Sequence, residues 1–277
     1  MPELPEVETI RRDLEKEALG RRIKAVEVTG TRSIRRHGTK KQFISRVEGQ
    51  KVDSVSRRGK NLLLSLGDDW LVVHLGMSGQ LLKASPRDPV PKHMHIKFVF
   101  TQGGELRFVD PRTFGEVYVA NKERLGDEAP ELFDLGFDPL EDVMSWNEFG
   151  SRLIAKKVKL KTLLMDQKFV AGIGNIYSDE ILWNAGLRYD RGSETLSTQE
   201  VRRLYRAMGE VLQEAVKLRG SSLADEQYRD LYGNVGQYQT EHKVYGRDGE
   251  PCRRCRHTIE KVKWGGRSAY YCPGCQV

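Results

Sequence analysis

All four cysteines of this chain fall within its last 26 residues, as Cys252-x2-Cys255 and Cys272-x2-Cys275 with sixteen residues between the pairs. No other pattern in the sequence restricts the fold so tightly. Two short Cys-x-x-Cys turns brought together by a hairpin set four thiolates around a tetrahedral metal, and zinc suits four sulfur ligands. Four sulfurs leave no position for water, so one structural zinc ion is expected at Cys252, Cys255, Cys272 and Cys275. Disulfide pairing would suit a secreted chain. This sequence begins without a signal-peptide pattern and holds no apolar run of the roughly eighteen residues that cross a membrane. The expectation is therefore a cytoplasmic protein with no membrane association.

Charge narrows the partner. Forty-six Lys and Arg against thirty-nine Asp and Glu give +7, and the 277 residues suffice for two modest domains. Thirteen basic and three acidic residues lie within 21–60, and eight and three within 243–277, whereas 121–150 holds two basic and nine acidic. Two basic ends around an acidic middle point to a polyanion, although a single basic run is more commonly a solvated face.

The first eight residues, Met-Pro-Glu-Leu-Pro-Glu-Val-Glu, carry the chemistry. Removal of Met1 would leave Pro2 with the chain's only α-amino group, a secondary amine. It titrates near ~8 against ~10.4 for Lys, so it is far less protonated at neutral pH. Such an amine can attack a sugar or carbonyl carbon and end as an iminium, with Glu3 and Glu6 placed to exchange protons. Pro and Glu in a first helical turn are also ordinary N-terminal chemistry.

Periodicity predicts a helix from about residue 5 to Ala18, then short strands at 23–28, 52–57, 61–66, 70–75, 95–101 and 105–109, forming a β-sandwich or flattened barrel. Arg57-Arg58-Gly59-Lys60 is either a device aiming Lys60 at the N-terminus or an exposed basic turn. Met77 in His74-Leu75-Gly76-Met77-Ser78-Gly79, with Arg112 and Phe114 in Asp110-Pro111-Arg112-Thr113-Phe114-Gly115, reads as core or as wedges for a base stack. The acidic stretch 122–150 reads as a linker. Beyond it comes a basic helical stretch over 151–166, and then Gly172-Ile173-Gly174-Asn175 opens a second helix running to Asn184. That entry could dock a phosphate on free N–H groups and the Asn175 amide. Ser197 and Glu200 form a capping box for a long helix. Residues 220–242 look like a mobile loop, long enough to serve as a lid.

In order, Pro2-Glu3-Leu4-Pro5-Glu6-Val7-Glu8-Thr9, Arg58-Gly59-Lys60, His74-Leu75-Gly76-Met77, Asp110-Pro111-Arg112, Gly172-Ile173-Gly174-Asn175-Ile176-Tyr177 and the terminal cysteines resemble bacterial formamidopyrimidine-DNA glycosylases over the whole chain. That resemblance implies an α+β fold of two domains: an N-terminal β-sandwich with flanking helices (1–121), then, after the linker, a helix-two-turns-helix domain (151–242) carrying a lesion-recognition loop at 220–242, followed by a four-Cys zinc finger (243–277). It implies a monomer that binds double-stranded DNA containing an oxidised purine, such as 8-oxoguanine or a formamidopyrimidine, in a cleft between the domains. The enzyme would act as a glycosylase and lyase of base excision repair. Pro2 would attack C1′, Glu3 would protonate the ribose oxygen, and β,δ-elimination would cut the strand. Lys60, Asn175 and Arg267 would grip phosphates, and Met77, Arg112 and Phe114 would fill the gap left by the flipped nucleotide, with Arg112 reading the orphaned cytosine. His93, Lys161 and Tyr238 would be further DNA contacts. Gly136-Phe137-Asp138-Pro139 departs from the family's usual Gly-Pro-Glu-Pro, and the loop near 223–235 is longer and more polar than in many members. An oxidised-pyrimidine enzyme of endonuclease VIII type usually has Gly where this chain has Leu4. A non-catalytic zinc-finger DNA-binding protein would not need Pro2.

Overall fold

The computed structural model describes every residue except Asp225 and Glu226. The chain divides into two compact units, 1–134 with 218–237, and 135–217 with 238–277. The segment 218–237 thus groups with the first unit, whereas the sequence suggested a loop of the second.

The first unit begins with α1 (Leu4–Ala18), whose Val7, Ile10 and Leu14 recur at helical spacing and enter the core. Eight strands follow: β1 (Ile23–Val28), β2 (Ser54–Arg58), β3 (Asn61–Leu66), β4 (Asp69–His74), β5 (Gln80–Ala84), β6 (Met94–Phe100), β7 (Glu105–Val109) and β8 (Glu116–Asn121). They form two antiparallel four-stranded sheets, β1-β6-β7-β5 and β2-β3-β4-β8. Leu62, Leu64, Leu71 and Val73 of one sheet and Leu81, Phe98, Leu106 and Phe108 of the other share one core with α1. The sandwich reading holds, with β5, β8 and the helix α2 (Lys40–Val47) additional to the elements predicted. In α2 only Phe43 and Val47 are buried, one apolar pair in a polar run, too little for periodicity to register. The acidic stretch is more than a linker. It contains α3 (Leu125–Glu128) and α4 (Pro130–Phe133), and Leu132, Phe137 and Asp138 are buried.

The second unit contains α5 (Trp146–Lys156), α6 (Leu160–Met165), α7 (Asn175–Ala185) and α8 (Thr198–Lys217). The basic helix expected over 151–166 is two helices, broken where Lys157 takes the left-handed conformation at φ 51°. α7 starts at the predicted asparagine. The Ser197 and Glu200 box closes as expected, with the Ser197 N–H donating to the Glu200 carboxylate at 2.8 Å. A hairpin, β9 (Glu260–Trp264) and β10 (Arg267–Tyr271), turns at Gly265-Gly266 between the cysteine pairs.

Segment 218–237 has no regular element among its described residues, yet it is not a loose lid. Tyr228 and Leu231 are core residues of the first unit, and the Lys83 N–H donates to the Leu231 carbonyl at 2.8 Å. The part of the expected lid at 225–226 lies outside the described residues.

Candidate active site and nucleic-acid interface

The N-terminus is held still. Pro2, Glu3 and Leu4 are buried, and the Glu3 N–H donates to Glu6 Oε2 at 2.8 Å. Glu6 Oε1 accepts the Ser221 N–H at 2.7 Å, so both carboxylate oxygens are engaged. Two residues further on, Glu8 meets the buried guanidinium of Arg57 at 3.1 Å. Arg57 also donates to the carbonyl of Gly59 at 3.0 Å. The turn that carries Lys60 is therefore tied to the helix that carries Pro2 and Glu3. Burial alone would raise the Glu8 carboxyl, but hydrogen bonds from Arg11 and Arg12 and the charges of Arg11 and Arg57 hold it below the usual range.

His74 ends β4, facing Asn61 on one side and Glu116 on the other. Burial pushes its imidazole below the ordinary value, and the positive charge of Lys60 pushes the same way. In the sequence His74 stands only as the first residue of His-Leu-Gly-Met, with nothing local to mark a role.

Met77, Arg112 and Phe114 are brought together on one knob. Met77 is 39% exposed and Phe114 45%, so neither is a core residue. The Arg112 guanidinium stands 5.1 Å from the centroid of the Phe114 ring. What holds the knob is buried and polar. One oxygen of Asp110 accepts the Ser78 hydroxyl at 2.6 Å and the Arg112 N–H at 3.2 Å, while the other accepts the Gly115 N–H at 2.7 Å. The two loops touch backbone to backbone: a Cβ on Gly76, whose φ is 63°, would lie 2.6 Å from both Phe114 C and Gly115 N. Exposed apolar side chains on so fixed a base fit the wedge reading. His93 is exposed beside this knob, its carbonyl accepting the Asp110 N–H at 3.0 Å.

In the second unit the turn before α7 is stapled by Gln167, which donates to the Ile173 carbonyl at 2.7 Å and accepts the Gly172 N–H at 2.9 Å. Sequence reasoning missed this residue, because a polar side chain in a turn carries no signal of its own. Asn175 opens α7, and its Oδ1 is buried with no hydrogen-bond partner among the described residues. Lys161 departs from expectation. It is fully buried, with Nζ 2.6 Å from Asp179 Oδ1 and 3.4 Å from the Asn175 carbonyl, so it braces the helix entry from within. Burial pushes the Asp179 carboxyl up to about 7 against the pull of Lys161 and of the Tyr270 N–H. Through that N–H, 3.0 Å away, Asp179 joins α7 to β10. Arg267 is exposed at the start of β10, beside the Gly265-Gly266 turn. Tyr238 is buried, its ring 5.7 Å from that of Tyr177 and 5.6 Å from that of His242, which makes it a packing residue here and not an exposed contact.

The four cysteine sulfurs lie within 4.8 Å of one another, with none in a disulfide. Cys252 and Cys275 are 3.7 Å apart and Cys255 and Cys272 3.2 Å. Tetrahedral zinc with bonds of about 2.3 Å separates its sulfurs by about 3.8 Å. N–H groups of Trp183 and Arg254 reach Cys252 Sγ at 3.4 Å, as donors to a thiolate do. The donor set fits a zinc ion.

Comparison with known proteins agrees with this geometry. Three family models match: the formamidopyrimidine-DNA glycosylase N-terminal domain over residues 1–117, the H2TH domain of the same enzymes over 135–227, and the zinc finger found in FPG and IleRS over 249–277. The formamidopyrimidine-DNA glycosylase of Desulfitobacterium hafniense is 42% identical over the full length of both chains, and that of Geobacillus kaustophilus is also 42% identical at full coverage of both. Among solved structures, Lactococcus lactis Fpg in complex with abasic-site DNA superposes with a TM-score of 0.89 at 35% identity, covering 99% of each chain. MutM (Fpg) from Thermus thermophilus gives 0.88 at 40% identity, covering 99% of this chain and 98% of that one.

Proposed function

This chain belongs to the formamidopyrimidine-DNA glycosylase family, and from that premise we propose how its residues divide the work. It excises oxidised purines from double-stranded DNA and cleaves the strand at the resulting abasic site. The nucleophile is Pro2, whose nitrogen is an amide while Met1 is attached and an amine once Met1 is removed. The deprotonated amine bonds to C1′ as the C1′–N bond to the base breaks, and the base leaves with the electron pair and gains a proton. The nitrogen, an ammonium since its bond to C1′ formed, gives up its N–H proton, Glu3 gives a proton to the ribose ring oxygen, and the freed nitrogen lone pair completes an iminium as the C1′–O bond opens. That cation acidifies the C2′ hydrogens, so loss of a proton expels first the 3′ phosphate and then, by a second elimination, the 5′ phosphate.

Lys60 and His74 in the first unit, with Asn175 and Arg267 in the second, are the phosphate grips. Met77, Arg112 and Phe114 fill the vacated stack, and Arg112 hydrogen-bonds the unpaired base. A zinc ion on Cys252, Cys255, Cys272 and Cys275 fixes the hairpin that carries Arg267. We place the protein in the cytoplasm as a monomer. No helix among the described residues is long and apolar enough to cross a membrane.

The observation that carries this reading is the immobilised N-terminus, buried and joined through Glu8 and Arg57 to the turn bearing Lys60. Borohydride trapping tests it. Protein freed of Met1 should form a covalent adduct with an 8-oxoguanine duplex, and Pro2→Gly should lose most of the adduct while keeping duplex affinity. Equal trapping by the variant would refute the assignment of Pro2. Metal analysis should find about one zinc per chain.

A further inference from the structure

The helix that holds the reacting terminus has a second face. Glu6, Thr9 and Asp13 recur at helical spacing about 100° around the helix from Val7, Ile10 and Leu14, and all three are buried. A buried polar stripe is costly unless it is hydrogen-bonded, so its partners indicate its purpose. The Thr9 hydroxyl donates back to the Pro5 carbonyl of its own helix at 2.8 Å, whereas the two carboxylates reach segment 218–237. Glu6 takes the Ser221 N–H, and Asp13 takes the guanidinium of Arg219 at 2.5 Å. The same guanidinium grips Asp230 at 2.6 Å, also buried, and the Arg219 carbonyl accepts the Tyr228 hydroxyl at 3.0 Å.

The stem of the segment is closed by its own backbone as well. The Gln237 N–H donates to the Leu218 carbonyl at 2.9 Å, and the Gly236 N–H to Ser222 Oγ at 2.9 Å. A Cβ on Gly236 would stand 2.2 Å from the Gly220 carbonyl oxygen. Arg219 itself adopts φ 62°, which a residue with a Cβ takes at a cost, so neighbouring contacts must over-determine its position.

We propose that Arg219 is a positioning residue for base recognition: by bridging Asp13 of α1 and Asp230 it fixes the stem of segment 218–237, and through the shared Glu6 carboxylate it sets that segment in register with Glu3 and Pro2. The proposal rests on the assignment of Pro2 and Glu3 given above and deepens it. One carboxylate serves both sides. If Ser221 moves, Glu6 must follow it or lose a buried bond, and Glu6 Oε2 is the acceptor for the Glu3 N–H. If the segment contacts the damaged base, as the family resemblance implies, its described stem meets that base from a position shared with the terminus. A substrate that has already lost its base still needs Pro2 and Glu3, which α1 and the Glu6 carboxylate continue to hold, but it presents no base for the segment to align.

The test compares two substrates at a temperature well below unfolding. Arg219→Ala, Arg219→Lys and Asp230→Asn are assayed in single turnovers on an 8-oxoguanine duplex and on a preformed abasic-site duplex, and hydrogen exchange is followed at the backbone amides of Ser221 and Gly236. Excision of the oxidised base should slow by about tenfold or more in Arg219→Ala, while abasic-site cleavage changes by no more than about twofold, because misplacement by a fraction of an ångström penalises only the step that needs the base aligned. Arg219→Lys keeps the charge without the two-pronged fork and should recover part of the loss. The two amides should exchange faster in the Ala and Asn variants. Parallel loss on both substrates would overturn the proposal, since a merely structural defect behaves that way, as would unchanged excision despite faster exchange. Should Arg219→Ala fail to fold, Asp230→Asn, which retains the Asp13 pair, answers the same question. Absence of a borohydride adduct in the unsubstituted protein would refute the Pro2 assignment instead, and the exchange comparison would still decide whether Arg219 holds the stem.

Discussion

Each unit places a buried ion pair behind its candidate phosphate grip, and the two pairs share one plan. In the first, Arg57 meets Glu8 of α1 and donates to the Gly59 carbonyl, next to Lys60. In the second, Lys161 meets Asp179 of α7 and donates to the Asn175 carbonyl. A cation that cannot reach solvent is thus used to aim a backbone turn. The carboxyls nevertheless end on opposite sides of their ordinary range. Glu8 is drawn down because Arg11, Arg12 and Arg57 surround it, whereas burial pushes Asp179 up to about 7 although Lys161 and the Tyr270 N–H pull the other way. Asp179 is buried the more deeply, draws on fewer cations and is repelled by Glu180, and these differences together send the two carboxyls in opposite directions.

That contrast is open to direct attack. The largest effect should come from Glu8→Ala. Arginine stays charged under all ordinary conditions, so the variant leaves Arg57 buried without its carboxylate, a change that costs about 3–5 kcal/mol. Calorimetry should show the transition of the first unit lowered by roughly 10 °C, at about 2–4 °C per kcal/mol. A shift under about 2 °C would mean that Arg57 finds other acceptors and that the pair does not set the Lys60 turn. Asp179→Ala should cost less, about 2–4 kcal/mol, because a stranded lysine can lose its proton as arginine cannot. It should also weaken duplex binding, since Asp179 links Asn175 of α7 to the β10 strand of Arg267. Equal destabilisation by the two variants would erase the distinction between an arginine and a lysine device.

These paired devices were the least legible part of the sequence. Glu8 and Arg57 lie 49 positions apart, and Lys161 and Asp179 lie 18 apart. Nothing local marks a charged residue as buried, and Arg57 read equally well as one of several exposed basic residues. Features set by near neighbours were readable: the cysteine pairs, the asparagine that starts α7, and the capping box at Ser197. Met77 and Phe114 fell between these cases. Their glycine-flanked loops were visible, but exposure depends on Asp110, whose bonds to Ser78 and Gly115 cross between separate turns. β5 was missed because Gln-Leu-Leu-Lys-Ala follows neither period cleanly. The break at Lys157 carries no glycine or proline to announce it. The polar composition of 220–242 suggests a loose loop, and the buried acceptors that pin its first part lie about two hundred residues away on α1.

A smaller and pH-dependent effect should follow from Lys161→Met. Without the ammonium, the buried Asp179 carboxyl rises further than it already has and binds a proton in the folded state that it would release on unfolding. A group whose folded pKa is raised contributes stability that is fully present below its unfolded value, near ~3.8, and lost as pH climbs through the folded value, here above about 7. The variant should therefore lie within about 1–2 kcal/mol of the parent at pH 6 and fall further behind at pH 8. Denaturant titrations at the two values measure the difference. A gap that narrows as pH rises has the wrong sign for a buried neutral carboxyl and would remove the contrast with Glu8.

The smallest expected effect concerns His74 and is read in binding. Its imidazole is held below the ordinary value first by burial and next by the charge of Lys60, so in free protein at pH 7.5 it is neutral. A phosphate seated beside Lys60 and His74 would oppose both influences and raise the pKa, and the complex would then take up a proton that the free protein lacks. Linkage gives the sign: whatever raises the proton affinity of a group binds more tightly as pH falls through that group's range. Duplex affinity should accordingly rise by about threefold more between pH 7.5 and 6 in the parent than in His74→Gln, at a fixed and stated salt concentration because phosphate contacts are screened. Calorimetric titrations in buffers of different ionisation enthalpy would count the proton directly. Identical pH slopes in the two proteins would place the phosphate away from His74 and leave Lys60 to act alone.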